Sequence, residues 1–195
     1  MRPLDEWLTS AARARPEHPA IVAEGRSVGY AELAAASART ARRLAALGVG
    51  EDDRVATTLP PGMVFVELLH ALPRLGAALV PLDPRAPARV DARLVVEAPL
   101  EGPEADVPLR DRVDPQATHT VIHTSGSMGE PKPVRLSYAN HAASAQASAQ
   151  NLGVDPADRW LCPLPLHHVG GLAVLLRSAI YATTALVHER FDAGG

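Results

Sequence analysis

Blocks of polar and apolar residues alternate along the chain, and their period changes from block to block. Leu33, Ser37, Thr40, Leu44 and Leu47 recur at spacings of three and four, with Arg39, Arg42 and Arg43 off that stripe. This period predicts a helix over 30–47, ended by Gly48 just past the cap. The arginines then form a solvated face. A short helix is predicted over 4–14, and "AIVAEGRSVGY" predicts two short strands about a turn at Gly25. "RVATTL" (54–59) reads as a strand, 60–62 as a turn, and "MVFVELLHALPRLG" as a helix broken late by Pro73. "AALVPLD" is a strand stopped by Pro84, and "ARLVVE" a further one. Residues 97–117 are rich in Pro, Asp and Glu and read as a surface connection. "THTVI" predicts a strand, and "SYANHAASAQASAQNLG" a helix with Ser137 as its N-cap. "RWLCPL", "VGGLAVLLRSAIYAT" and "TALVHE" follow as strand, helix and strand. Alternation of this kind predicts the α/β class: a mainly parallel twisted sheet flanked by helices.

Composition narrows the function. The 195 residues are 47% hydrophobic, enough for a sizeable core in one large domain or in a piece of something bigger. A net charge of −3 gives no footprint for nucleic acid or an anionic membrane. No run is long and apolar enough for membrane insertion, and the first residues lack a signal-peptide pattern. The lone Cys162 excludes an internal disulfide and fits a reducing compartment, so a cytoplasmic location is expected. Cys162 itself reads as a small buried hydrophobe on a strand. A metal site built from Cys162, His167 and His168 lacks further ligands at credible spacing, so none is expected.

The stretch "HTSGSMGEPKPV" (123–134) carries the chemistry. Thr124, Ser125, Gly126, Ser127, Gly129 and Lys132 fall in nine consecutive positions between a predicted strand and a predicted helix. Glycine-rich backbone can converge its N–H groups on an anion. The hydroxyls add donors, and Lys132 adds a mobile cation suited to phosphate. The N-terminus of the following helix would point at the same place. A cradle for phosphate or carboxylate and an ordinary polar turn both fit this composition. The Gly-Lys-Ser/Thr ending of a Walker A loop is absent.

"TSGSMGEPKPV" resembles the signature loop of the adenylate-forming ligases, which include acyl-CoA synthetases, luciferases and peptide-synthetase adenylation domains. Thr124, Ser125, Gly126, Ser127, Gly129, Pro131 and Lys132 match; Met128 replaces a hydroxyl residue and Pro133 a glycine. "RSVGYAELAAASARTARRLAALGVGEDDRVA", "LPRLGAALVPLDP" and "PLPLHHVGGLAVLLRSAIYATTALV" resemble further motifs of the superfamily in the same order. Within it, "HHVGGLAVLLRSAIYATTALVHERFDA" is most similar to the o-succinylbenzoate–CoA ligases of menaquinone biosynthesis, with His167 at an aromatic position.

The resemblance implies that 1–195 is the N-terminal portion of the large, AMP-binding domain. The rest of that domain and the small C-terminal domain would be absent, and with them an adenine-binding segment and a catalytic lysine. It implies an acid–CoA ligase that adenylates a small-molecule carboxylic acid and passes the acyl group to coenzyme A, using ATP and Mg2+. Thr124, Ser125, Gly126, Ser127, Gly129 and Lys132 would hold phosphates. His168, Gly170, Gly171 and Arg177 would shape the acyl pocket, with no catalytic residue assigned. The chain alone is expected to be inactive and to self-associate through apolar surface left exposed. The alternatives are a non-catalytic binding or assembly module and an adenylation domain for another carboxylic acid.

Overall fold

The computed structural model describes residues 2–85, 90–124 and 132–188. Its elements run β1 (Leu4–Asp5), α1 (Trp7–Ala14), β2 (Pro19–Ala23), β3 (Arg26–Gly29), α2 (Tyr30–Ala46), β4 (Arg54–Thr57) and α3 (Met63–Ala71). After a 3₁₀ turn at Leu72–Leu75 come β5 (Ala78–Pro81), β6 (Leu94–Val96), β7 (Arg112–Val113), β8 (Thr118–Thr124), β9 (Lys132–Ser137) and α4 (Tyr138–Leu152). The described chain closes with β10 (Arg159–Cys162), α5 (Val169–Tyr181) and β11 (Thr184–Val187).

The α/β reading with parallel strands is borne out, and the strands divide between two main sheets. One has the order β6-β4-β5-β8-β9, parallel except for the β8–β9 edge pair. The other has the order β10-β11-β2-β3, parallel except for the β2–β3 hairpin. A short antiparallel pair joins β1 to β7.

Period two explains the five-stranded sheet. Val55, Leu79 and Ile122 point to a large core shared with the helices, while their neighbours Ala56, Val80 and Val121 point to a small cluster on the other face. Both faces are covered, so the strands read as continuous apolar runs. The large core is continuous from this sheet through α1, α2, α3 and α5 to Ile21, Ala185 and Val187 of the four-stranded sheet. Leu69 and Leu72 are fully buried in it; each contributes roughly 1.5–3 kcal/mol relative to an exposed side chain. Tyr30, at the start of α2, directs its hydroxyl at the carbonyls of Ser178 and Thr183, 2.7 and 2.6 Å away, and so ties α2 to the end of α5.

Three strands escaped the pattern: β1, β7 and β9. The third changes the picture of the Gly/Ser-rich loop. That loop joins two antiparallel strands, not a strand and a helix, because Lys132–Ser137 pairs with β8 from Thr124↔Lys132 to Thr118↔Ser137. Pro133 is accommodated because β9 is an edge strand, where a missing N–H breaks no inner ladder. Ser137 does cap α4, in a reciprocal capping box with Asn140. But α4 starts about 20 Å from Lys132, at roughly 3.3 Å per strand residue, so its positive end lies away from Lys132, at the other end of β9.

The start of α5 lies directly on the loop after β10. A Cβ added at Gly171 would meet the carbonyl oxygens of Pro165 and Leu164 at 2.5 and 2.8 Å. At Gly170 it would meet only Leu164 Cδ1, at 2.9 Å, the far end of a flexible side chain. Gly171→Ala should therefore destabilise by about 1–3 kcal/mol through overpacking, whereas Gly170→Ala should stay within about 1 kcal/mol, because alanine's better helix propensity offsets the contact. Urea midpoints of the two variants check the contrast; equal losses would contradict it.

Candidate functional site

Strands of a parallel sheet end on the same side, and open α/β sheets bind ligands there. Here the carboxyl ends of both main sheets enclose one cavity of about 420 Å3. Leu59, Pro60 and Pro61 follow β4, Pro81–Arg85 close β5, Pro163–His167 follow β10, and His188 follows β11. Phe65 of α3 contributes an aromatic wall. The lining is mostly apolar, with polar groups gathered where the two sheets meet.

Those polar groups are Asp83, Arg85 and His167. Arg85 donates through Nε and Nη2 to the two Asp83 carboxylate oxygens at 3.1 and 3.3 Å, and its backbone N–H adds a third contact at 3.0 Å. These bonds hold the Asp83 carboxyl below the usual carboxylate range. His167 reaches across from the other sheet, its Nε2 3.7 Å from Asp83 Oδ2. Burial, then the neighbouring His168 and Arg85, lower the His167 pKa against the pull of Asp83. The site therefore offers a carboxylate–guanidinium pair and an imidazole whose burial favours the uncharged form, in an apolar, proline-walled cleft.

The sequence-predicted residues distribute unevenly about this cleft. Thr124 and Lys132 form the last register pair of β8–β9, with Thr124 Oγ1 donating to the Lys132 carbonyl at 3.3 Å. Leu79 of β5 pairs in parallel with Thr120 of β8. Asp83 and Thr124 each lie four residues further on, so they leave the sheet at the same edge. Lys132 is exposed there. Ser125, Gly126, Ser127 and Gly129 lie outside the described residues.

His168 is exposed at the N-cap of α5, its ring 4.3 Å from that of His167, and it is His167 that lines the cavity. Gly170 and Gly171 stand behind the wall that Leu164 and Pro165 form, rather than on it. Arg177 is not brought to the cavity. It lies about two and a half helical turns beyond His168 and donates to Ser144 of α4 at 3.2 Å. Its spacing from His168 carries it to the α4-facing side. Cys162 is buried, as its strand position suggested, and burial pushes its thiol up to about 11.

Asp83, Arg85 and His188 were not singled out from sequence. The signal for the first two was the Pro-Leu-Asp-Pro-Arg run at the end of a parallel strand. Among the described residues no group of three or more His, Cys, Asp or Glu side chains is placed to hold a metal ion.

Comparison with known proteins gives the family. The family model described as AMP-binding enzyme matches residues 8–98 and 89–193. A 2-succinylbenzoate–CoA ligase of Bacillus subtilis is 33% identical over 95% of this chain and 44% of its own length. One of Geobacillus kaustophilus is 35% identical over 98% and 44%. The chain thus spans under half the length of these curated relatives. Among solved structures, the o-succinylbenzoate CoA synthetase of Bacillus subtilis bound with its product analogue superposes with a TM-score of 0.91 at 30% identity, over 99% of this chain and 46% of that one. The same enzyme with ATP and magnesium gives 0.89 at 31%, over 99% and 60%. With a family match running through nearly all of its residues, this chain belongs to the AMP-binding enzymes.

Proposed function

We propose that the chain forms the phosphate- and acyl-handling part of an ATP-dependent acid–CoA ligase, with o-succinylbenzoate as its carboxylic acid. The observation that carries this is the placement of Thr124 and Lys132, which bracket the Gly/Ser loop at the same sheet edge as the cavity. The names of its relatives and the ligands of its structural neighbours, ATP, magnesium and a coenzyme A product analogue, support it.

In the proposed reaction a carboxylate oxygen attacks the α-phosphorus of ATP and pyrophosphate leaves. The coenzyme A thiolate then attacks the acyl carbon and AMP leaves. In-line displacement at phosphorus depends on positioning and on neutralising charge. Lys132, the Thr124 hydroxyl and the loop residues Ser125, Gly126, Ser127 and Gly129 would take the β- and γ-phosphates. Magnesium would arrive on the nucleotide, held largely by phosphate and water. The acyl group would lie by the His167–His168 pair, with Gly170 and Gly171 setting the wall. A cytoplasmic location is part of the proposal, supported by a single buried thiol. No described helix is long and apolar enough to cross a membrane.

The test is a chimera in which this chain replaces the matched N-terminal part of the Bacillus subtilis ligase. It should catalyse ATP–pyrophosphate exchange that depends on o-succinylbenzoate. A folded chimera inert with every carboxylic acid would overturn the reading, and exchange with a different acid alone would reassign the substrate. In the active chimera Lys132→Ala should slow exchange about 10- to 100-fold, the equivalent of one charge-assisted contact of roughly 1.5–3 kcal/mol. Thioester formation from supplied acyl-adenylate should be nearly unchanged.

Self-association is proposed through the β10 edge. β10 has one neighbour among the described strands, and Leu161, Leu164 and Val169 are 47%, 49% and 49% exposed beside it. An apolar edge of this kind templates pairing with a second copy. Sedimentation of the 195-residue chain should show a concentration-dependent dimer that Leu161→Lys weakens; a monomer at every concentration would remove this part of the proposal.

A further inference from the structure

Away from the cavity, the chain buries a second cluster of titratable side chains that the proposed chemistry does not use. His119 of β8 is 1% exposed, and neither of its ring nitrogens has a hydrogen-bond partner. Its ring stacks on Tyr138 of α4 at 4.5 Å and meets Trp7 of α1 and His141 of α4 edge-on at 5.4 and 5.2 Å. Trp7 and Tyr138 are themselves 5.6 Å apart. The Thr120 hydroxyl holds His141 Nε2 at 2.9 Å.

The groups around these rings come from every neighbouring element. Glu6 caps α1, accepting from the Leu8 and Thr9 N–H groups and the Thr9 hydroxyl. Arg74 of the 3₁₀ turn donates to Thr9 Oγ1 and to Asp111, which also binds Arg13. Arg110 acts on Tyr138, whose hydroxyl burial pushes up. His70 of α3 is buried with its Nδ1 unpartnered. Burial lowers the pKa of His70, His119 and His141, the last to about 4, and His141 and His70 lower that of His119 further. Glu6 pulls His70 the other way.

The elements meeting here are unequally anchored. β8 has strand partners on both sides. α1 has 8 residues, and β1 before it pairs with β7 over only two. An imidazolium at His119 would find no acceptor at either nitrogen and two histidines nearby. α1 is the shortest of the helices that meet at the cluster, against 9 residues in α3 and 15 in α4, and it yields first.

We propose that this cluster is an acid-sensitive latch: proton uptake by its buried histidines releases residues 4–14 from β8 and α4 while both main sheets stay folded. The sign follows from linkage. The buried rings bind protons more weakly than released ones, so the latch is fully closed above the ordinary histidine range, about pH 6.5. It opens as pH falls below that, roughly tenfold per pH unit for each proton taken up. Three histidines set the upper limit, and Glu6 offsets part of the effect at His70, giving a slope of about two to three protons.

The experiment uses the 195-residue chain and needs no ligand, so it is independent of the ligase reading. Native-state hydrogen exchange between pH 7 and 4.5 should show α1 amides losing protection with that slope while β4 and β5 amides keep theirs. In Trp160→Phe, Trp7 emission should shift over the same range. His119→Phe preserves the stacking without the titration and should lower the slope by about one proton. Parallel loss of protection in α1 and β5, an unchanged α1 at pH 4.5, or a full slope in His119→Phe would each overturn the latch. Should His119→Phe fail to fold, the wild-type exchange comparison decides alone.

Discussion

Two parallel sheets share one apolar core, and that constraint orders the molecule. α3 meets the demand with Phe65, Val66, Leu68, Leu69 and Ala71 all buried. α2 sits nearer the rim and keeps an arginine-bearing face. The Tyr30 hydroxyl enters the core and is fixed there by two carbonyls. Leaving such a group unpaired costs about 1–3 kcal/mol. A core common to both sheets also holds their carboxyl edges in register with each other. The cavity between them is thus a consequence of core packing as much as of the loops that line it.

Much of this was legible in the sequence, because helices and inner parallel strands announce themselves by period and apolar run. The α2 stripe, its Gly48 stop with φ +84, the Gly25 turn and the Ser137 cap all follow from local chemistry. β9 did not, since Pro133 and an exposed face removed both strand signals and only pairing with β8 makes it a strand. β1 and β7 are two residues each, too short to carry a period. The division into two sheets was equally hidden, because alternation fixes class but not which strands become neighbours.

The site was legible in its chemistry and not in its geometry. Thr124 and Lys132 stand at the cavity's edge of the sheet, yet the helix expected to support the loop between them begins at the far end of β9. Arg177 shows the same limit: a sequence motif lists residues in order, while a helix of 13 residues turns its later members to other neighbours. His167 shows the converse, since only the fold brings it to Asp83 from the opposite sheet.

The prolines explain why there is a cleft to fill. Pro60, Pro61, Pro81, Pro84, Pro163 and Pro165 all line it, and each lies at or just past the end of a strand. A proline offers no N–H to a ladder, so it suits the end of a strand. The same residues have fixed φ and no N–H donor to satisfy, so they form stiff walls. Polar groups are then left to Asp83, Arg85 and His167, whose mutual contacts satisfy much of their own demand. A ligand entering such a cleft meets a stiff, mostly apolar surface.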